Sequence, residues 1–482
     1  CSSDLVMSWM LAFVRPLDSK SVAADTKAAR VRAFRRSARL DGSAFAVIDA
    51  SLESQSELMI RATCWSSALS GSARFSGSPC KVMISSVMMI ISVRHQSEEA
   101  TVTAEAQARD PHSDIHSEEG ALRGEHAGRS ANPLVKVRGL AWLEFAKPDL
   151  VRAEAFARAF GFETACRTTD TLYLRGADAG SPCVVIRKGR RTRFLGPAFQ
   201  AADGADVVKV ANSMGVRATP IGEPLGGVGV SVLDPSGMPL RVVADVDQLP
   251  AIGAPAEPVF NFGSNRPRTN TPVRPPRTPA RVQRLGHVVL MTSRYRESLQ
   301  WYLDTLGLIV SDFLFYEGQR DRGPVMSFIR CDRGSEPADH HTLAMTLGPS
   351  NKYVHSAYEV SDLDTIAAGG EYLNDLGYHR SWGIGRHIQG SQIFDYWRDP
   401  DGFLVEHYAD GDLFDSSLEP GWAPMTASGL AQWGPPATPD FLGTTLGREA
   451  LETLRDSVTS LHNRDNEFDL RRLRGLLKVP TS

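Results

Sequence analysis

Histidine is distributed very unevenly along this chain. None occurs between Leu134 and Leu249, whereas seven of the twelve lie between His287 and His407. Imidazoles gathered in one stretch, with carboxylates among them, can hold a metal ion or move protons near neutral pH. His287, His355 and Glu406 stand out, because two imidazoles and one carboxylate on one face of an octahedral ion leave three adjacent positions open. With a divalent ion, such a set keeps about one positive charge, which favours an anionic bidentate ligand such as a catecholate.

Residues so far apart meet only if the elements carrying them are arranged regularly, and from about residue 134 the sequence repeats. Four segments share one plan of strand, polar turn and amphipathic helix closed by Gly. They are LAWLEFAKPDLVRAEAFARAFGF from Leu140, GPAFQAADGADVVKVANSMGV from Gly196, HVVLMTSRYRESLQWYLDTLGL from His287 and HSAYEVSDLDTIAAGGEYLNDLGY from His355. Strand-like stretches follow each helix, and VSVLDPSGMPLRVV and IFDYWRDPDGFLVEHY both carry an Asp-Pro-x-Gly turn between strands. The expected fold is α+β, built of tandem βαβββ units, two per domain, each domain a curled mixed sheet around a cavity with helices outside.

Superposing the repeats pairs Leu140 with His287, Gly196 with His355, and Arg241 with Glu406. The first half offers no ligand at any of these positions, so a shared architecture does not explain the histidines of the second. The expected divisions are an extension over 1–132, a metal-free domain over 134–250, a Pro- and Arg-rich linker over 251–282, a metal-binding domain over 283–410, and a tail with one helix over 411–482. The first hundred residues hold twenty serines with no sustained helix or strand period. That composition suggests either a disordered extension or a misplaced translation start.

A net charge of −3 gives no reason to expect nucleic acid or an anionic membrane as partner. Six scattered cysteines suggest neither a disulfide framework nor a zinc ribbon, which fits a reducing cytoplasm. The longest apolar run, residues 82–93, falls short of the roughly 20 residues that a membrane helix needs.

The motifs GHVVL around His287, HHTLAM around His341, VHSAYEV around His355 and GRHIQGSQIFDYWRDPDGFLVEHY from Gly385 to Tyr408 resemble those of the type I extradiol ring-cleaving dioxygenases of the vicinal-oxygen-chelate superfamily. The resemblance spans about residues 134–425. It implies Fe(II), with Mn(II) a rarer option, held by His287, His355 and Glu406. It implies an acid–base role for His341 and hydrogen bonds from His387 and Tyr396 to substrate and oxygen. By the same resemblance Val289, Phe328 and Gln389 line the aromatic pocket. The implied reaction opens a catechol next to its diol with O2 and gives a 2-hydroxymuconic semialdehyde-type acid, with no reductant or organic cofactor, in an enzyme that is usually oligomeric.

The roles are chemically sensible in themselves, since a histidine with a pKa near ~6.5 can take and return a catechol proton. His340 and His407, each adjacent in sequence to a site residue, are expected on the opposite faces of their strands. A glyoxalase-type isomerase or lyase would want a fourth protein ligand, and a non-catalytic binding module would need no triad. The particular catechol stays open, and Arg386 and Arg398 are read either as partners of a substrate carboxylate or as solvated.

Overall fold

The computed structural model describes residues 120–253, 259–443, 448–463 and 465–481, together with three strands nearer the N-terminus. The chain forms two compact units, residues 1–100 and 101–482. In the first, β1 (Phe34–Leu40), β2 (Ala44–Ser54) and β3 (Glu57–Ser66) make an antiparallel meander in the order β1-β2-β3. No strand period was expected there; the Asp-Gly-Ser sequence between β1 and β2 is a hairpin signal that the high serine content obscures. The apolar run at 82–93 and most of the expected extension lie outside the described residues.

The second unit contains two large sheets of identical plan. The first is assembled from β4 (Gly139–Lys147), β5 (Glu163–Arg167), β6 (Thr171–Arg175), β7 (Val184–Lys188), β8 (Arg193–Gln200), β9 (Thr219–Pro220), β10 (Val228–Leu233) and β11 (Pro239–Ala244). Its order is β5-β6-β7-β4-β8-β11-β10-β9. Helices α1 (Leu150–Phe160) and α2 (Gly204–Ser213) follow β4 and β8. The second sheet uses β12 (Arg284–Thr292), β13 (Leu308–Phe315), β14 (Met326–Cys331), β16 (Leu343–Leu347), β17 (Lys352–Glu359), β18 (His379–His387), β19 (Ile393–Arg398) and β20 (Leu404–Ala409). These run β13-β14-β16-β12-β17-β20-β19-β18, with α3 (Tyr295–Leu306) after β12 and α4 (Leu363–Asp375) after β17. Each sheet is thus two βαβββ units joined through their opening strands, open rather than closed into a barrel.

Local sequence explains the repeat. Asp149, Asp203 and Asp362 cap α1, α2 and α4 by accepting backbone N–H bonds of the first turn. A glycine with positive φ ends each of the four helices: Gly161, Gly215, Gly307 and Gly377. In both Asp-Pro-x-Gly turns the aspartate closes the hairpin, Asp234 Oδ1 accepting from Ser236 and Met238 N–H, and Asp399 Oδ1 from Asp401 and Phe403 N–H.

The two sheets share a continuous apolar core. Helix α1 of the first half sets Phe156 edge-on to Tyr378 and Phe160 edge-on to Tyr358, on the outer face of the second sheet. A buried ion pair between Lys147 and Asp399 adds a polar tie between the halves. Residues 120–132, expected within the extension, run along the second half, where Glu125 pairs with Arg320 at 2.9 Å. The segment after Gly411, expected as loops and one helix, adds β22 (Gly421–Pro424) and β23 (Ala431–Trp433) to the two edges of the second sheet. It also pairs β21 (Leu413–Phe414) with β15 (Ala338–Asp339). Edge strands present unpaired backbone groups, and these additions satisfy them. Helices α5 (Arg448–His462) and α6 (Leu470–Lys478) complete the described chain. Among the described residues no helix is long and apolar enough to cross a membrane.

Candidate metal centre

Strands β12, β17 and β20 lie side by side at the middle of the second sheet, so residues more than a hundred positions apart become neighbours. The pairing β12–β17 sets Val289 opposite His355, and the parallel pairing β17–β20 sets Ala357 opposite Glu406. His287, His355 and Glu406 offer ligand atoms that all lie within 4.8 Å of one another. His287 Nε2 and His355 Nε2 stand 3.5 and 3.3 Å from Glu406 Oε2.

The three residues fit a cation. Glu406 is fully buried, yet neither carboxylate oxygen has a hydrogen-bond partner among the described residues. A buried carboxylate without such partners is costly, and a divalent ion between the three side chains removes that cost. Burial alone would raise the pKa of Glu406, but contact with His287 and His355 outweighs it and holds the carboxyl well below the usual range. Burial lowers the pKa of His287, so it stays neutral and able to ligate. The Nδ1 atoms of both imidazoles are buried without a hydrogen-bond partner among the described residues, so ring packing orients them. His287 lies against His341 with centroids 3.9 Å apart, and His355 is edge-on to Tyr396 at 5.2 Å.

Of the expected accompanying residues, His341, Tyr396 and His387 are brought to the same place. Burial, reinforced by neighbouring His287, pushes the pKa of His341 far down and leaves a neutral imidazole beside the triad. His387 donates from Nδ1 to the Leu430 carbonyl at 2.7 Å, and its Nε2 accepts from the Tyr396 hydroxyl at 2.9 Å. Burial and the charge of Glu406 keep that hydroxyl protonated. Phe328 is edge-on to His341 at 5.0 Å. Val289 is buried but absent from the main apolar cluster that takes both Val288 and Leu290, as expected of a residue facing the other way. Gln389 is buried in the loop between β18 and β19.

Three expectations change. The counterpart of His287 is Trp142 rather than Leu140, because β4 and β12 share an irregularity at the same step, between Leu140 and Trp142 and between Leu285 and His287. Trp142 is fully buried in a small cluster of its own, while Leu140 packs on the main core. The other two pairings hold, and neither offers a metal ligand in the first half. A Cβ on Gly196 would lie 2.0 Å from the Pro239 carbonyl oxygen, and the Arg241 guanidinium stands 3.7 Å from Glu144, which also pairs with Arg187.

His340 does not turn away from the site as expected. It sits with His341 in a bend between β15 and β16, where strand alternation does not apply. His340 Nδ1 and His341 Nδ1 are 2.9 Å apart, and His340 Nε2 is 2.6 Å from Asp312 Oδ2. Asp312 carries no signal in the sequence; the His-His pair is the trace that was available. His407 does face away, stacking on Phe160 and donating to its carbonyl at 2.7 Å. Arg386 pairs with Asp410 and Arg398 with Asp440, so both guanidiniums have protein partners.

Residues 284–407 match the family model described as the Glyoxalase/Bleomycin resistance protein/Dioxygenase superfamily. A metapyrocatechase 2 from Cupriavidus necator is 29% identical over 69% of this chain and 99% of its own. A biphenyl-2,3-diol 1,2-dioxygenase from Metapseudomonas furukawaii is 24% identical over 62% and 94%. A manganese-dependent 2,3-dihydroxybiphenyl 1,2-dioxygenase from Geobacillus genomosp. 3 is 25% identical over 61% and 92%. Among solved structures, the Mn(II)-bound glyoxalase from Novosphingobium aromaticivorans aligns with TM-score 0.53 and 22% identity over 64% of this chain and 94% of that one. Homoprotocatechuate 2,3-dioxygenase from B. fuscum aligns with TM-score 0.54 and 17% identity over 66% and 84%. These structural matches show a fold shared with those proteins over about two thirds of the chain.

Proposed function

We propose that this chain is an extradiol dioxygenase, in which residues 283–410 form the catalytic domain and residues 134–250 a metal-free partner domain. The observation that carries the reading is the convergence of His287, His355 and Glu406 on one point, with His341, His387 and Tyr396 around it. The relative that aligns over nearly its whole length bears a catechol-cleaving name and supports it. His287, His355 and Glu406 would hold Fe(II), or Mn(II) in its place, which would supply Lewis-acid chemistry toward a catechol and O2.

The protein's own groups do the rest. His341, neutral and buried beside the triad, takes a proton from the catechol and returns it later. When negative charge appears on a bound oxygen, the Tyr396 hydroxyl turns its proton from His387 Nε2 to that oxygen, and the freed Nε2 accepts a hydrogen bond from the substrate. Val289, Phe328 and Gln389 border the ring and exclude water from it. The product is a 2-hydroxymuconic semialdehyde-type acid. The enzyme acts on small catechols in the cytoplasm, and its assembly is a homo-oligomer.

A glyoxalase-type isomerase would require a fourth protein ligand; among the described residues the group has three members. Anaerobic loading with Fe(II), followed by a panel of catechols and O2, tests the proposal. A yellow ring-opened product with one O2 consumed per ring is expected. A metal-loaded chain that consumes no O2 with any catechol would defeat it.

A further inference from the structure

We propose that Asp312 and His340 are positioning residues that fix His341 in one tautomer, with its proton on Nδ1 and its lone pair on Nε2. The acid–base role assigned to His341 leaves open which ring nitrogen carries its proton, and neither Asp312 nor His340 has a part in that role so far.

The inference follows from counting donors along one hydrogen-bonded row. A carboxylate accepts only, so the 2.6 Å contact with Asp312 Oδ2 needs the proton of His340 on Nε2. The Nδ1 of a neutral His340 is then an acceptor. The 2.9 Å contact between the two Nδ1 atoms therefore needs a proton on His341 Nδ1. His341 Nε2 is left as the ring's acceptor, the state a base must be in before it takes a substrate proton. This is the logic by which a buried carboxylate orients a catalytic imidazole, extended by one ring.

The row is buried and braced. Asp312, His340 and His341 are 4%, 1% and 4% exposed, so water does not compete for the bonds. A register irregularity between Val310 and Asp312 in β13 aims the carboxylate inward. The buried Arg330 guanidinium donates to the Val310 carbonyl and to Ser311 Oγ at 2.9 Å, and Ser311 donates to the His340 carbonyl at 2.6 Å. Gly390 leaves room for the ring, since a Cβ there would come 2.9 Å from His340 Nδ1. The competing arrangement is a doubly protonated His340 donating to His341 Nδ1, which would put the His341 proton on Nε2. A divalent ion in the adjacent triad disfavours that extra positive charge.

The catalytic consequence rests on the functional reading above, but the tautomer does not, and the test separates them. The full chain, labelled with 15N-histidine and loaded with diamagnetic Zn(II), is studied by long-range 1H–15N correlation, with His341→Gln identifying the resonances. The expected spectrum shows His341 protonated at Nδ1 and bare at Nε2. Asp312→Ala should mix the two tautomers and lower kcat on a cleaved catechol by roughly 10–100-fold, with far less change in KM. A proton found on His341 Nε2 in the wild-type chain overturns the proposal, as does an Asp312→Ala chain whose His341 tautomer is unchanged. The wild-type spectrum decides the matter even if that variant does not fold. A chain that cleaves no catechol defeats the functional reading and leaves the spectrum to judge the tautomer.

Discussion

His355 and Glu406 lie fifty-one positions apart in sequence, yet their side chains meet at 3.3 Å because β17 and β20 are parallel neighbours with His355 opposite Leu404. The two-residue offset along β20 puts both on the same face, and His287 reaches that face from the other side of β17. The triad is thus a property of sheet register, and its members should fail independently.

Glu406→Gln keeps the shape and removes the charge. We expect its Mn(II) affinity to fall by more than the roughly 10–100-fold that loss of an outer partner costs. Titration followed by the electron paramagnetic resonance of free Mn(II) reads this directly. An affinity within a few-fold of wild type would remove Glu406 from the ligand set.

Tyr396→Phe deletes the hydroxyl that lies 2.9 Å from His387 and leaves the ring packing in place. The expected loss is roughly 100-fold in kcat. Metal content should be unchanged, since Tyr396 is not among the three ligands. Steady-state kinetics on a cleaved catechol with parallel metal analysis checks both halves. A variant that loses metal along with activity would point to a structural role instead.

The tie between the two halves should be costly to break on one side only. Lys147 pairs with Asp399, both almost fully buried, so Lys147→Met leaves an uncompensated carboxylate. A loss of about 3–5 kcal/mol in unfolding free energy is expected, with much of it recovered in the double variant Lys147→Met, Asp399→Asn. Denaturant unfolding of the three chains measures it, and equal losses in the single and double variants would contradict it.

Asp395 gives the stability a pH dependence. Burial, partly opposed by Arg380 at 3.0 Å, pushes its carboxyl up to about 7. An unfolded aspartate releases its proton near ~3.9, so between those values the folded chain binds more protons and this group's contribution falls as pH rises. Asp395→Asn cannot titrate, so its stability relative to wild type should climb with pH by up to about 1.4 kcal/mol per unit across that window. Thermal unfolding of both chains over a pH series shows the effect. A difference that stays constant with pH would place the carboxyl's titration elsewhere.

Much of this was legible because a repeat turns position into geometry. Once four βαβββ units are aligned, His355 against Gly196 and Glu406 against Arg241 follow, and the structure keeps both pairings. The third slipped by two residues, from Trp142 to Leu140, since the irregularity in β4 and β12 leaves no mark on composition. His340 was misplaced because alternation was assumed through a stretch that bends. Strands β22 and β23 were missed for another reason: they are short, and only the sheet edges they meet make them strands.

One ion in one place decides the function of this site, and the anomalous scattering of crystals grown anaerobically with Mn(II) locates it. A single strong peak is expected in contact with a ring nitrogen of His287, a ring nitrogen of His355 and a carboxylate oxygen of Glu406, with none beside Trp142, Gly196 and Arg241. A peak that leaves out any of the three, or no peak with the triad intact, would contradict it.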